Sequence, residues 1–134
     1  LAPGGAFLAV VGGGPRGDDA FAGLLALAAP FAAAAPPTPR LGDPRARTDA
    51  GLAALFTPAA GFAAPRIDDW SIDLSGDAEA VWDALAPSYH LATVPAVDRA
   101  ALRADFLAAA PRWRRPDGPI AATMYARLVE VRRT

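Results

Sequence analysis

Tyr89 and His90 stand side by side in the stretch Ala86-Pro87-Ser88-Tyr89-His90-Leu91, and His90 is the only histidine among 134 residues. An imidazole exchanges protons near neutral pH, so His90 is a candidate general base. A Tyr-His pair in a loop also reads as a plain surface pair, or as two side chains touching a small-molecule substrate. We take Tyr89 and His90 as candidate substrate contacts and Trp82, a few residues earlier, as core.

The second candidate is Gly12-Gly13-Gly14-Pro15-Arg16-Gly17, which follows an apolar run. It matches the glycine spacing of a dinucleotide-binding loop between a strand and a helix. Three features argue against a pyrophosphate there. Pro15 removes a backbone donor. Asp18 and Asp19 place negative charge where a helix start would receive phosphate. The second strand that should end in an acid is replaced by a Pro-rich connector, Ala29 to Asp43. The simpler reading is a loop at the carboxyl end of a strand, the edge where α/β sheets bind ligands. Gly12 and Gly13 are therefore candidate substrate-lining residues.

Other charged groups point to structure. Asp18 is expected to cap a helix, with Asp19 stabilising its positive end. Asp68 and Asp69 are adjacent, so on a strand they face opposite ways and cannot serve one substrate. Arg112, Arg114 and Arg115 form the densest basic cluster, around Trp113, and read as a solvated segment. All 13 basic residues are Arg, acids are interspersed, and net charge is −1. That balance argues against a nucleic-acid partner. The chain has no Cys, which excludes disulfides and zinc-thiolate sites. No ligand spacing suggests a metal.

Hydrophobic residues make up 53 % of the chain, enough for a core and too many for general disorder. Ala20 to Ala35 imitates a membrane segment, but it is short, mostly Ala, and contains Gly23 and Pro30. We expect a buried helix ending near Pro30, no membrane partner, and a cytoplasmic protein.

The elements that must position these residues alternate in type. An apolar strand, Ala6–Val11, is expected to be covered on both faces. A helix follows with Phe21, Leu24, Leu25 and Ala28 on one stripe. A second helix spans about Asp49 to Phe56, with Gly61 ending the turn after it. A strand runs from about Pro65 to Leu74. Two helices come next, Asp77 to Leu85 and one beginning near Pro95. Pro116-Asp117-Gly118 signals a tight turn. It leads to a last strand, Met124 to Arg132, apolar on both faces and therefore suited to the middle of a sheet. This order implies an α/β layered fold. The chain opens on Leu1-Ala2-Pro3-Gly4-Gly5, a turn delivering a core strand, so we expect residues 1–134 to be one partial domain continuing upstream.

The same residues carry a resemblance. Leu1-Ala2-Pro3-Gly4-Gly5-Ala6-Phe7-Leu8 resembles the turn into the fifth strand of class I S-adenosylmethionine-dependent methyltransferases of the small-molecule type. Ala59-Ala60-Gly61-Phe62 is similar to the segment before their sixth strand. Asp77 to Leu85 resembles their inserted helix, and Arg112 to Gly118 with Tyr125 to Arg133 resembles their closing turn and last strand. The resemblance implies a partial Rossmann-like sheet of local order 5-7-6, with the last strand central and antiparallel and helices packed around it. It also implies S-adenosylmethionine as cofactor of the complete enzyme, a small-molecule methyl acceptor, and helices over the substrate opening near Tyr89 and His90. The family's cofactor motifs belong to strands this sequence does not contain. No cofactor-binding residue carries over, and the chain alone is expected to be inactive. Two alternatives stay open: an accessory module whose strand edge pairs with another chain, and a dinucleotide-binding oxidoreductase fragment.

Overall fold

The structure is a computed structural model that describes residues 1–34, 43–116 and 118–134. The element order is β1 (Ala6–Gly14), α1 (Ala20–Ala34), α2 (Asp49–Leu55), β2 (Arg66–Asp73), α3 (Ala78–Leu85), α4 (Arg99–Ala109) and β3 (Thr123–Arg132), with short 3-10 turns between. The fold is α/β, with a three-stranded sheet of order β1-β3-β2. Hydrogen bonds give the strand directions. The Gly4 amide donates to the Arg133 carbonyl and the Arg133 amide to that of Gly5, both at 2.9 Å, so the start of β1 lies at the end of β3. Phe62 and Arg133 form an antiparallel bridge before β2 begins, and Gly76 and Ile120 form another after it ends. The last strand is thus central, as its two apolar faces predict, and it runs antiparallel to both neighbours.

The chain divides into two compact units. The first holds residues 1–13, 43–71 and 125–134, including most of the sheet. Thr48 caps α2 by accepting from the Gly51 amide at 3.0 Å. Gly51 itself must lack a side chain, because a Cβ there would come within 2.1 Å of the Arg45 carbonyl oxygen. Leu52 of α2 is buried with Val129 and Val131 of β3, and Val11, Phe56, Phe62 and Ile67 pack around them. Arg127 fixes the same side by pairing with Asp49 and donating to the Arg47 carbonyl at 2.9 Å.

Alternation along the strands leaves Leu8, Val10, Trp70 and Leu128 on the opposite face. These are 62 %, 58 %, 51 % and 37 % exposed. The expectation that β1 is covered on both faces is therefore corrected. A continuous apolar run marks a strand, but it cannot tell a doubly covered strand from an edge strand with one face in water.

The second unit holds residues 14–34, 72–116 and 118–124. Phe21, Leu24 and Ala28 of α1, Val81, Trp82 and Leu85 of α3, and Leu102 and Phe106 of α4 bury one another, together with Ile120 and Ala122. The stripe predicted for α1 and the predicted core place of Trp82 both belong to this cluster. Trp82 packs on Phe106 (ring centroids 5.7 Å apart), and Phe106 stacks on Trp113 at 5.8 Å. Gly23 makes room for that indole, since a Cβ would sit 1.8 Å from Trp113 Cζ2.

Three helix boundaries differ from expectation. α4 begins at Arg99, and Pro95 lies in the turn before it, where its carbonyl accepts from the Asp98 amide at 3.0 Å. Asp19, not Asp18, caps α1, accepting from the Phe21 and Ala22 amides at 3.0 and 3.2 Å. Its other oxygen accepts from the Thr123 amide at 2.7 Å, so one carboxylate ties the helix start to the start of β3. The helix also runs through Pro30 to Ala34. Pro30 lies beyond the last buried residue, Ala28, and the following Ala residues favour helix enough to carry it one more turn. Residues 35–42 of the expected connector, and Asp117 of the Asp-Gly turn, lie outside the described residues. The turn is closed by the Gly118 amide donating to the Arg115 carbonyl at 3.2 Å. Among the described residues no helix is long and apolar enough to cross a membrane.

Candidate functional site

Tyr89 and His90 lie in the second unit, in a short 3-10 turn, Tyr89–Leu91, after α3. The Ser88 amide donates to Leu85, Leu91 to Ser88, and Val94 to Leu91, at 3.0 to 3.1 Å, so the segment is a chain of turns. Leu91 and Val94 are buried and anchor it in the helical core. Arg99, at the start of α4, donates to the Leu91 carbonyl at 3.0 Å and to that of Val94 at 3.5 Å. The Leu91 carbonyl, which already accepts from the Val94 amide, takes a second bond. The two candidate side chains are thus held on a fixed base although they reach the surface.

Their rings are in contact, with centroids 4.0 Å apart and planes tilted by 32°. His90 also meets buried Phe21 of α1 edge-on at 5.5 Å. Three rings therefore run from the core outward, ending on Tyr89, which is 69 % exposed. Ser88 Oγ and Thr93 Oγ1, which bracket the turn, are buried and have no hydrogen-bond partner. Buried hydroxyls are usually paired, so these two retain bonding capacity. Sequence reading singled out Tyr89 and His90 but missed Phe21 and Arg99 as their supports, and missed the two hydroxyls.

Gly12 and Gly13 lie in the first unit, at the end of β1, with φ of +89° and +112°. A Cβ at either would meet nothing within 4 Å, so backbone conformation, not crowding, requires glycine there. The loop's likeness to a dinucleotide site weakens at α1: the Phe21 and Ala22 amides, which a helix start would offer to phosphate, already bind Asp19. Arg112, Arg114 and Arg115 are exposed, as a solvated segment should be.

A further feature of the first unit is an open cleft of about 280 Å³ lined by Ala63, Ala64, Arg66, Glu130 and Arg132. Arg66 pairs with Asp68 at 2.8 Å and Arg132 with Glu130 at 2.6 Å, so its charges are balanced. The alternation of Glu130 and Arg132 on one strand was the available signal for this cleft. Asp73, at the end of β2, is held below the usual carboxylate range by hydrogen bonds from the Ser75 side chain and amide, with the Arg115 charge adding to them. Among the described residues no group of three or more His, Cys, Asp or Glu could hold a metal ion. No protein-family model matches the chain, and the search of curated proteins finds no match.

Proposed function

We propose that this chain is the substrate-side portion of an S-adenosylmethionine-dependent methyltransferase acting on a small molecule, and that it is inactive by itself. One observation carries the reading: the final strand lies between the other two and runs against both. In the resembled family the strands would be the fifth, seventh and sixth, in a local order 5-7-6. The reading brings a cytoplasmic location with it.

Two acids at the ends of elements are already engaged, and neither is assigned to the cofactor. An adenosyl group needs a carboxylate free to take ribose hydroxyls. Asp19 spends both oxygens on backbone amides, and Asp73 accepts from the Ser75 amide at 3.0 Å. The chain's own part is to bind and orient the acceptor, and orientation is the main requirement of a displacement at a methyl group. We assign acceptor contact to Tyr89 and His90. Gly12 and Gly13 fall within β1 and not in the expected loop after Val11; they keep their assignment as substrate-side residues at the strand's end. The test is to express the chain together with its upstream coding sequence and measure S-adenosylmethionine binding by calorimetry. The longer protein should bind the cofactor and the 134-residue chain should not. An upstream region without a Gly-rich strand–loop–helix, or a longer protein that leaves the cofactor unbound, overturns the reading.

A second reading is a module completed by a strand of another chain. It is favoured by β1, an edge strand with no charge and no Pro, whose Phe7, Leu8 and Val10 are exposed. Such edges invite pairing. Light scattering after size exclusion decides: a monomer at all concentrations counts against it.

A further inference from the structure

We propose that the cleft of the first unit binds a small α-amino acid in its zwitterionic form; the inference stands apart from the methyl-transfer reading and uses none of its residues. The carrying observation is the convergence of two guanidinium groups and one carboxylate on a single open cleft of about 280 Å³, lined by Ala63, Ala64, Arg66, Glu130 and Arg132. Ligand sites run from about 300 Å³ upward, so this volume suits one small molecule. Alternation puts Glu130 and Arg132 on the same face of β3. Arg66 comes from the start of β2, the neighbouring strand. The Ala63 amide donates to the Arg132 carbonyl at 2.9 Å, and Phe62 bridges Arg133, so main chain ties the cleft walls together.

The pairing pattern selects the ligand. Arg132 Nη2 holds Glu130 Oε1 at 2.6 Å, and Arg66 Nη2 holds Asp68 Oδ2 at 2.8 Å. Each contact takes one nitrogen of a guanidinium fork, which is thereby oriented while its remaining N–H groups can still donate. A carboxylate placed between the two forks gains charge-assisted bonds. A simple anion there would also face Glu130, whose side chain is 23 % exposed against 63 % for Arg132 and 70 % for Arg66 and is the most enclosed of these charges. An ammonium group one carbon away from the carboxylate answers Glu130 and cancels that repulsion. A polyamine is disfavoured by the same logic, because it meets both Arg side chains. Ala63 and Ala64 contribute only methyl groups and leave room for a short apolar side chain. Exposed ion pairs add little to stability, so sharing these donors with a ligand costs the fold little.

The test titrates L-alanine into the 134-residue chain and follows backbone amides by NMR. Saturable shifts are expected at Ala63, Ala64, Glu130 and Arg132. Propionate, which lacks the ammonium, and ethylamine, which lacks the carboxylate, should each bind more weakly by about fivefold or more. Inorganic phosphate should also bind more weakly than L-alanine. Arg66→Gln and Glu130→Gln should each weaken L-alanine binding by about threefold or more. Arg66 is exposed, so its replacement should leave the circular dichroism spectrum unchanged. Ala64→Leu, which fills the cleft and leaves its charges in place, should abolish the shift at Glu130. Shifts that do not saturate, or an affinity for propionate or phosphate equal to that for L-alanine, overturn the amino-acid assignment. Undiminished binding in both Arg66→Gln and Glu130→Gln overturns the charge pairing, and undiminished binding in Ala64→Leu overturns the cleft as its place. None of these results depends on cofactor binding by the longer protein, so the cleft and the methyl-transfer reading fail separately.

Discussion

The two units handle the same apolar-rich composition differently. In the second, three helices turn their stripes toward one another and leave little large apolar surface outside. In the first, the sheet buries Val129 and Val131 under α2 and leaves Leu8, Val10, Trp70 and Leu128 exposed on its other side. The helix stripes close on one another, α1 from one stretch of chain and α3 and α4 from another. A sheet has two faces, and one short helix covers only one of them. The first unit is therefore where a further layer, from a longer chain or a partner, would add most.

The contrast can be broken most sharply at Phe106, which touches both Trp82 and Trp113. Phe106→Ala should cost about 3–5 kcal/mol, measured by urea unfolding followed by tryptophan fluorescence. A loss below about 1 kcal/mol would mean that the helical unit is no better packed than the sheet. Asp19→Ala comes next. It removes the α1 cap and the bond to the Thr123 amide, and should cost about 1–2 kcal/mol in the same measurement. Asp19→Asn should recover part of that, since its amide oxygen can still cap.

On the exposed sheet face the expected effect is small. Leu8→Thr with Val10→Thr should change stability by no more than about 0.5 kcal/mol. A loss above about 1 kcal/mol, growing with protein concentration, would show that this face is covered in solution by a second copy. The smallest effect concerns Asp73. Its folded-state pKa lies below the ordinary Asp value of about 3.9, so its contribution is complete above that pH and is lost as pH falls through the folded value. Ser75→Ala should move the Asp73 carboxyl titration, followed by NMR, upward toward the ordinary value. An unmoved titration would show that Ser75 is not the cause.

Much of the second unit was legible in the residue spacing. The helix expected over Asp77 to Leu85 forms, with Asp77 as its cap (the Ala80 amide donates to it at 2.8 Å) and Trp82 in the core as expected. In the first unit, Gly61 takes φ of +79° and ends the turn after α2. The exposure of β1 was not legible, because an apolar run looks the same whether one or both of its faces are covered. The choice of Asp19 over Asp18 was not legible either: either acid can cap, and the Thr123 amide that engages Asp19 is over a hundred positions away. For the candidate site, Tyr89 and His90 stood out by type, but their support came from Phe21 and Arg99, which no local pattern links to them.

Residue order alone determined the succession of helices and strands, the stripes that bury, and the suitability of the last strand for a central place. These follow from local geometry: the 3.6- and 2-residue periods, cap chemistry, and the conformational range of Gly and Pro. Tertiary structure alone decided which sheet face stays in water, why residue 23 can bear no side chain, and which rings stand behind Tyr89. Each of these is a meeting of segments distant along the chain. Contact and exclusion in space leave no periodic trace in the sequence.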